Sequence, residues 1–372
     1  MVSNRKNFKK YFKWWCCMKG SVTIENVLER LKNFPFVSNG FIPIYSNPRT
    51  IKGYNLNKQP MVQSQLHVYI TPNLEQKHFS VDLNELLSKE YGACILEFVD
   101  VIMAKFNQKV LINFYNNINN LNVIKISDDN QGTLGSGVEG IYSPRKNTIK
   151  ICEGSTETIY HELFHMASAY LDGDICYAGF KQSKLGFKAN GVGINEGYTQ
   201  LLTERYFGDK IEICGAYEYE VSIASQLEKI VGREKMEQLY LSSNLKGLIL
   251  ELKKYTSEEE IITFISNMDF LLRRRREGIR GKRKVALQIM KDINEFLYKT
   301  YFTKLKQMFN HQEIDVCVLN EEIALFVSTL KPQADLDNQS YKCLSYDDMT
   351  KYILDLFGAS NITMFSNEGR IK

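Results

Sequence analysis

The sequence predicts an α+β fold, with a small sheet and edge hairpin ahead of a central helix and a helical C-terminal lobe. Three observations predict it: an alternating β-branched run at 121–127, two alternating runs around a turn at 137–152, and amphipathic helical patterns beyond 217. A chain of 372 residues with 44% hydrophobic residues can form one large unit or two packed domains. We expect a poorly interpretable region over 1–80, a core over 81–207 and the helical lobe over 208–372.

The elements before the central helix follow from local patterns. Apolar residues recur at helix-face spacing over 81–119, with Leu83, Leu86 and Leu87 in the first part. The run at 121–127 predicts a strand, and the turn at 143–147 predicts a hairpin. Five of the seven prolines precede residue 80, so extended segments and turns are expected there.

The helices begin after the hairpin. Ser155 or Thr156 offers an N-cap for a helix that continues to about Leu171. A glycine-rich segment follows over 172–193, and a second helix is predicted from Asn195 to about Tyr206. The helical patterns of the C-terminal lobe cover 221–230, 258–272, 285–309 and 346–357.

Charge and cysteine usage limit the class of protein. The net charge of +4 is too small to imply a nucleic-acid partner, and none is expected. None of the eight cysteines forms a Cys-x-x-Cys pair, which favours free thiols in a reducing compartment. The N-terminus lacks the apolar core of a secretory signal, and no run is long enough to span a bilayer. We expect a cytoplasmic protein, with signal-independent export left open.

The central helix carries the segment His161-Glu-Leu-Phe-His165. Side chains four apart on a helix lie on one face, so His161 and His165 can both meet one Zn²⁺ at roughly 2.0–2.1 Å. Glu162 is rotated by about 100° and can act on a zinc-bound water without occupying the metal. Leu163 and Phe164 make the helix apolar, and two of only five histidines fall within it. A chance match on an amphipathic helix is the competing interpretation.

A catalytic zinc needs a third protein ligand. Asn195-Glu196 stands at the start of the second helix, some thirty residues after the first motif. This combination resembles the gluzincin metallopeptidases, the thermolysin-like group in its broad sense. The resemblance covers about 137–206 and implies a zincin-like catalytic unit. It implies that His161, His165 and Glu196 bind zinc, that Glu162 is the general base, and that the preceding hairpin aligns the substrate.

The chain departs from that family one turn after Glu196. The family has an aspartate there that orients a zinc-bound histidine, and this chain has Gln200, whose oxygen can accept the imidazole N–H without supplying charge. A metzincin is excluded, because Ser168 and Leu171 stand where its Gly and His would be. Asp172 and Asp174 stay open as alternative third ligands, and Glu204 is interpreted as a solvated helix residue.

A peptidase also needs a donor for the developing oxyanion. Tyr217 and Tyr219, which follow the second helix, are the candidates, and Tyr219 is the preferred one. The glycine-rich segment over 172–193 is predicted to be a mobile hairpin or loop that borders the substrate cleft.

The chain has one strongly basic run, with eight basic residues and one glutamate over 273–284. It joins two predicted helices and contains two glycines. A nucleic-acid or targeting patch is one interpretation, and a solvated connector outside the active site is the favoured one.

The sequence thus predicts zinc-dependent hydrolysis of a peptide or protein substrate, with Glu162 activating a zinc-bound water. A non-catalytic zinc-binding scaffold is one alternative, which a closed fourth ligand would favour. The other is a regulatory peptidase or effector that cuts one specific protein partner.

Overall fold

The fold is taken from a computed structural model of the chain. It describes residues 41–43, 68–70, 91–118, 121–126, 138–152, 155, 158–184, 186–211, 217–277, 282–336 and 339–362. Within these ranges the chain combines many helices with small sheets, so the coarse α+β prediction is confirmed. The predicted helical turns at Leu83, Leu86 and Leu87 lie outside the described residues.

The first described elements are two short strands and two helices. Strand β1 (Phe41–Pro43) pairs antiparallel with β2 (Val68–Ile70). Helix α1 (Gly92–Lys105) and helix α2 (Ile112–Ile118) occupy the described part of the region predicted to be helical up to 119. The helix breaks at Phe106, which is extended, and Asn107 then accepts the Lys109 N–H to start a separate short turn.

A three-stranded sheet precedes the central helix, as the sequence predicts. Its strands are β3 (Asn122–Ile126), β4 (Gly140–Ser143) and β5 (Thr148–Cys152), in the order β3-β5-β4. β4 and β5 form the predicted antiparallel hairpin, and β3 runs parallel to β5. β4 is therefore the edge strand on the hairpin side.

The central helix is α3 (Thr158–Ser168), which ends earlier than the predicted Leu171. Side chains of α2 hold its last carbonyls: Asn117 donates to the carbonyls of Met166 and Ala169, and Asn113 donates to that of Ser168. These bonds satisfy backbone groups that a longer helix would have used. The prediction of helix at Leu171 is wrong, because Leu171 pairs with Cys176 in a strand.

The glycine-rich segment folds as an antiparallel sheet. Its strands are β6 (Tyr170–Asp172), β7 (Ile175–Ala178) and β8 (Lys181–Lys184). The predicted hairpin is confirmed by the β7–β8 pairing, while its mobility and its place at a substrate cleft stay predictions.

The second helix of the predicted site is α4 (Val192–Phe207), and the rest of the chain is mainly helical. The later elements are α5 (Glu218–Val231), α6 (Arg233–Leu241), α7 (Leu245–Leu252), α8 (Glu258–Glu277), α9 (Arg283–Asn310), α10 (Val316–Thr329), the antiparallel pair β9 (Gln333–Leu336) and β10 (Gln339–Lys342), and α11 (Tyr346–Phe357). The four C-terminal helices predicted from periodicity are confirmed.

One hydrophobic core continues from α1 to the end of α11. It includes Phe98, Phe164 and Phe207, whose rings pack together, and extends to Phe326 and Ile353 in the C-terminal lobe. Buried apolar side chains therefore cross the predicted boundary at 207. Within the described ranges, no helix is both long and apolar enough to cross a membrane.

Candidate metal centre

Helix α3 presents its motif residues inside the protein. His161, Glu162 and His165 are each less than 10% exposed, and the residues between them are buried as well. Such burial is costly for polar side chains without partners. The partners of the two histidines come from α4, which packs beside α3 and carries Glu196.

Helix α4 begins at a tightly specified point. Gly191 precedes it with φ of +73°, and a Cβ there would lie 2.2 Å from the Phe180 carbonyl oxygen, so only glycine fits. The Asp269 carboxylate of α8 accepts the N–H groups of Gly191 and Gly193, both at 2.8 Å. These bonds satisfy donors that the helix start leaves unpaired. They fix the register that places Glu196 one turn further along.

His161, His165 and Glu196 converge on one point, as the sequence predicts. The two Nε2 atoms lie 3.1 Å apart, and the Glu196 Oε2 atom lies 3.4 Å from Nε2 of His161 and 3.8 Å from that of His165. The three atoms meet the spacing for a single metal ion, and within the described residues no other His, Cys, Asp or Glu joins this group. Two imidazole nitrogens and one carboxylate oxygen fit a zinc ion with one open position.

The electrostatics of the group favour a bound positive charge. Burial lowers the pKa of His161, but the carboxylates of Glu196 and Glu162 raise it more, so its pKa lies above the ordinary value. Burial raises the pKa of Glu196, yet the two histidines hold that pKa well below its ordinary range. Glu196 is therefore ionised, and its charge draws either a proton or a metal cation to the imidazoles.

Each histidine also has a partner at its other ring nitrogen. Gln200 places its Oε1 atom 3.0 Å from Nδ1 of His161. The Thr199 hydroxyl lies 3.4 Å from Nδ1 of His165, and that hydroxyl is held by the Asn195 carbonyl and the Tyr240 hydroxyl, both at 2.7 Å. The Asn195 amide nitrogen also lies 3.4 Å from Nδ1 of His165, and the Asn195 oxygen accepts the Phe180 N–H. A proton on Nδ1 of each ring would leave both Nε2 lone pairs facing the common point.

Glu162 lies beside the group without belonging to it. Its Oε2 atom accepts the backbone N–H of Tyr142, in edge strand β4, at 2.6 Å. A Cβ on the neighbouring Gly140 would lie 2.7 Å from the Thr158 side chain and 3.3 Å from that of Glu162, so this strand packs closely on α3. The hairpin and the motif helix thus hold this carboxylate together.

Tyr217, just before α5, lies beside the candidate ligand group. Its ring stacks on that of His161, with centroids 5.6 Å apart and planes 16° apart. Burial raises its pKa, so the hydroxyl keeps its proton at neutral pH. The preferred candidate Tyr219 lies in the first turn of α5 with its hydroxyl buried. Its proposed role in oxyanion binding stays a prediction, and Tyr217 is the better placed of the two.

Arg276 corrects the interpretation of the basic run. Residues 273–277 form the last turn of α8 instead of a connector, and the Arg276 Nη2 atom donates to the Tyr217 hydroxyl at 2.9 Å. The same atom lies 3.7 Å from Glu196 Oε2, and the Arg276 side chain is 52% exposed. The expectation of a basic run remote from the site is therefore wrong. Arg276 lies far from Glu196 and Tyr217 in the sequence, so no sequence pattern predicted these contacts.

The remaining candidates lie elsewhere. Asp172 and Asp174 belong to the β6–β7 hairpin and are not members of the ligand group. Neither of these two alternative third ligands therefore lies at the site. Glu204 is half-buried and accepts a hydrogen bond from Gln200 at 3.1 Å, so its interpretation as a solvated residue is wrong.

Comparisons of the chain with protein-family models, curated proteins and solved structures return no match.

Proposed function

We propose that this protein is a zinc-dependent peptidase of the gluzincin kind, with His161, His165 and Glu196 as metal ligands and Glu162 as general base. One observation carries the proposal: three candidate ligand atoms from two helices lie within 4.8 Å of one another, and a second carboxylate, that of Glu162, acts on the group without belonging to it. Metal-assisted hydrolysis uses a metal site with a neighbouring carboxylate that does not bind the metal and can act as a base.

The composition of the ligand group supports zinc and an open site. Imidazole nitrogen with one carboxylate oxygen suits zinc better than calcium or magnesium, which prefer oxygen ligands alone. Structural zinc sites normally have four protein ligands, whereas catalytic sites have three. The group in the described residues has three members, which favours the enzyme over the non-catalytic scaffold.

Glu162 is the residue that moves the proton. When bound, zinc would polarise the scissile carbonyl and make water more acidic. The Glu162 carboxylate takes one proton from the water as the C–O bond forms and the carbonyl oxygen becomes an oxyanion. It then delivers that proton to the amide nitrogen, the C–N bond breaks, and the amine leaves as the carbonyl re-forms. The N–H of Tyr142 holds this carboxylate in place beforehand.

The substrate we propose is an extended peptide segment. Strand β4 is the edge of its sheet and lies against Glu162, and Ile141 of the same strand is 45% exposed. A peptide can add to such an edge as a further strand, using backbone hydrogen bonds that require no particular side chains. This arrangement would place the scissile bond beside the general base.

Glu162→Gln tests the proposal. The variant should retain one zinc ion per chain and lose about 10²–10⁴-fold in peptide cleavage, because a general base contributes about that much. The measurements are zinc content by mass spectrometry and cleavage of a peptide library. Equal cleavage by both proteins would refute the role of Glu162, and loss of zinc in the variant would refute the ligand assignment. A wild-type protein that holds zinc and cleaves nothing would favour the scaffold.

A further inference from the structure

Gln200 links His161 of the candidate ligand group to the carboxylate of Glu204, which does not itself contact that group. Gln200 Oε1 faces Nδ1 of His161 at 3.0 Å, and Gln200 Nε2 donates to Oε1 of Glu204 at 3.1 Å. Both residues lie on α4, one turn apart. Gln200 is 6% exposed and Glu204 is half-buried. The amide therefore has a defined neighbour at each end.

The orientation of this amide decides which nitrogen of His161 carries the proton. An imidazole that binds a metal through Nε2 must carry its proton on Nδ1. The Gln200 oxygen accepts that proton, whereas a reversed amide would present its NH₂ group to Nδ1. The reversed arrangement would favour the proton on Nε2, in the middle of the ligand group, where it would compete with a metal ion.

The two orientations of a glutamine amide have nearly the same shape, so shape alone does not select one. A carboxylate does select one, because it accepts hydrogen bonds and cannot donate them when ionised. Glu204 accepts from the NH₂ end of Gln200 and would repel the oxygen end. The oxygen is consequently directed at His161.

We propose that Glu204 is a positioning residue for the metal site, which acts through Gln200 to keep the proton of His161 on Nδ1. A Gln–Glu pair one turn apart is ordinary on helix surfaces. This pair differs because its other end is buried against a metal ligand. The inference rests on the proposed function only in taking His161 as a ligand, and it does not require peptide hydrolysis.

His165 provides an internal control. Its Nδ1 atom lies 3.4 Å from both the Thr199 hydroxyl and the Asn195 amide nitrogen. The Asn195 oxygen accepts the Phe180 N–H at 2.9 Å. The orientation of the Asn195 amide is set by Phe180 and not by Glu204. A change at Glu204 should therefore affect the proton position of His161 and leave that of His165 unchanged.

The first experiment measures proton positions directly in metal-free, full-length protein. Nitrogen-15 NMR at alkaline pH, where both histidines are neutral, distinguishes a protonated Nδ1 from a protonated Nε2. The wild type should show His161 protonated on Nδ1, and Glu204→Ala should show a mixture of both forms. An unchanged His161 in Glu204→Ala would overturn the proposal.

The second experiment measures zinc affinity by competition with a chromophoric chelator. Glu204→Ala should bind zinc about 10-fold more weakly, as is usual when a residue that orients a ligand is removed. The exchange Gln200→Glu with Glu204→Gln places the carboxylate on His161 and the amide one turn away. This double variant should bind zinc at least as tightly as the wild type. Glu234→Ala, an exposed glutamate of α6, is the control and should have no effect.

The outcomes separate this inference from the proposed function. If Glu204→Ala does not fold, the isosteric Glu204→Gln replaces it, with a smaller loss of affinity expected. Wild-type affinity in the Glu204 variants, or no recovery in the double variant, would overturn the positioning role. A wild-type protein that binds no zinc would refute the proposed function, while the NMR result would still decide the role of Glu204.

Discussion

Under the proposed function, Tyr217 is the better placed of the two candidate tyrosines to donate to the oxyanion, because its ring stacks on His161. Its hydroxyl accepts a hydrogen bond from Arg276, so its own proton remains available for donation. Tyr217→Phe should retain the ring stacked on His161 and lose only the hydroxyl. We expect a loss of about 10²–10³-fold in peptide turnover with zinc content unchanged, measured by steady-state kinetics.

Tyr219→Phe is the matched control for that variant. The two tyrosines are two residues apart, and the ring of Tyr217 is the one that contacts His161. If Tyr219→Phe abolishes turnover while Tyr217→Phe retains it, the preference drawn from the sequence is correct and the placement argument fails.

Arg276 supports the site from the end of α8. Arg276→Ala should lower peptide turnover about tenfold, because Tyr217 loses the donor that orients it. Zinc affinity should not fall, because removal of a positive charge next to Glu196 favours another cation. Lys284→Ala, an exposed residue of the same basic run, should change neither quantity. Weakened zinc binding in Arg276→Ala alone would contradict this account.

The residues of the candidate site differ in how far the sequence could predict them. His161 and His165 lie on one helix face, as their local spacing predicts, whereas Glu196 lies on another helix and was predicted only from the resemblance. Arg276 could not be predicted, since its contact with Glu196 joins distant parts of the sequence. The choice between Tyr217 and Tyr219 depends on where α5 begins, and periodicity does not fix helix ends.

At the scale of elements, the important feature is that α4 is packed between two other helices at its glycines. A Cβ on Gly193 would lie 2.6 Å from the Met268 carbonyl oxygen of α8. A Cβ on Gly197 would lie 2.3 Å from the Glu220 carbonyl oxygen of α5. Backbone therefore contacts backbone on both sides of Glu196, which leaves the ligand little freedom to move.

Gly197→Ala should disturb this packing. The added methyl group must displace a helix backbone, which costs about 1–3 kcal/mol in the free energy of unfolding. Zinc affinity should also fall, because Glu196 is the adjacent residue. Gln238→Ala, on the exposed face of α6, is the control for helix substitution. Chemical denaturation of metal-free protein tests the first expectation, and wild-type stability would show that α4 is not closely packed.

The elements themselves were predicted best where periodicity was long. The helices over 258–272 and 285–309 were predicted from apolar spacing, and the hairpin from its two alternating runs. The helix ends were not predicted, because side-chain hydrogen bonds determine them. Asn107 starts a separate turn after α1. Asn113 and Asn117 bind the last carbonyls of α3. Such side-chain caps depend on tertiary contacts that the sequence pattern does not contain.

For the whole molecule, the C-terminal lobe takes part in the site instead of merely following it. Helix α8 supplies Asp269 to the start of α4 and Arg276 to Glu196 and Tyr217. The core is continuous across the same boundary. The candidate site is consequently completed by residues on both sides of the predicted division at 207.

The central claim is that one zinc ion binds at the point shared by His161, His165 and Glu196. The most direct measurement is anomalous X-ray scattering, above and below the zinc absorption edge, from a crystal of the wild-type protein. We predict one zinc peak, at roughly 2.0–2.2 Å from Nε2 of each histidine and from one oxygen of Glu196. The absence of a zinc peak, or a peak bound by other residues, would contradict the account.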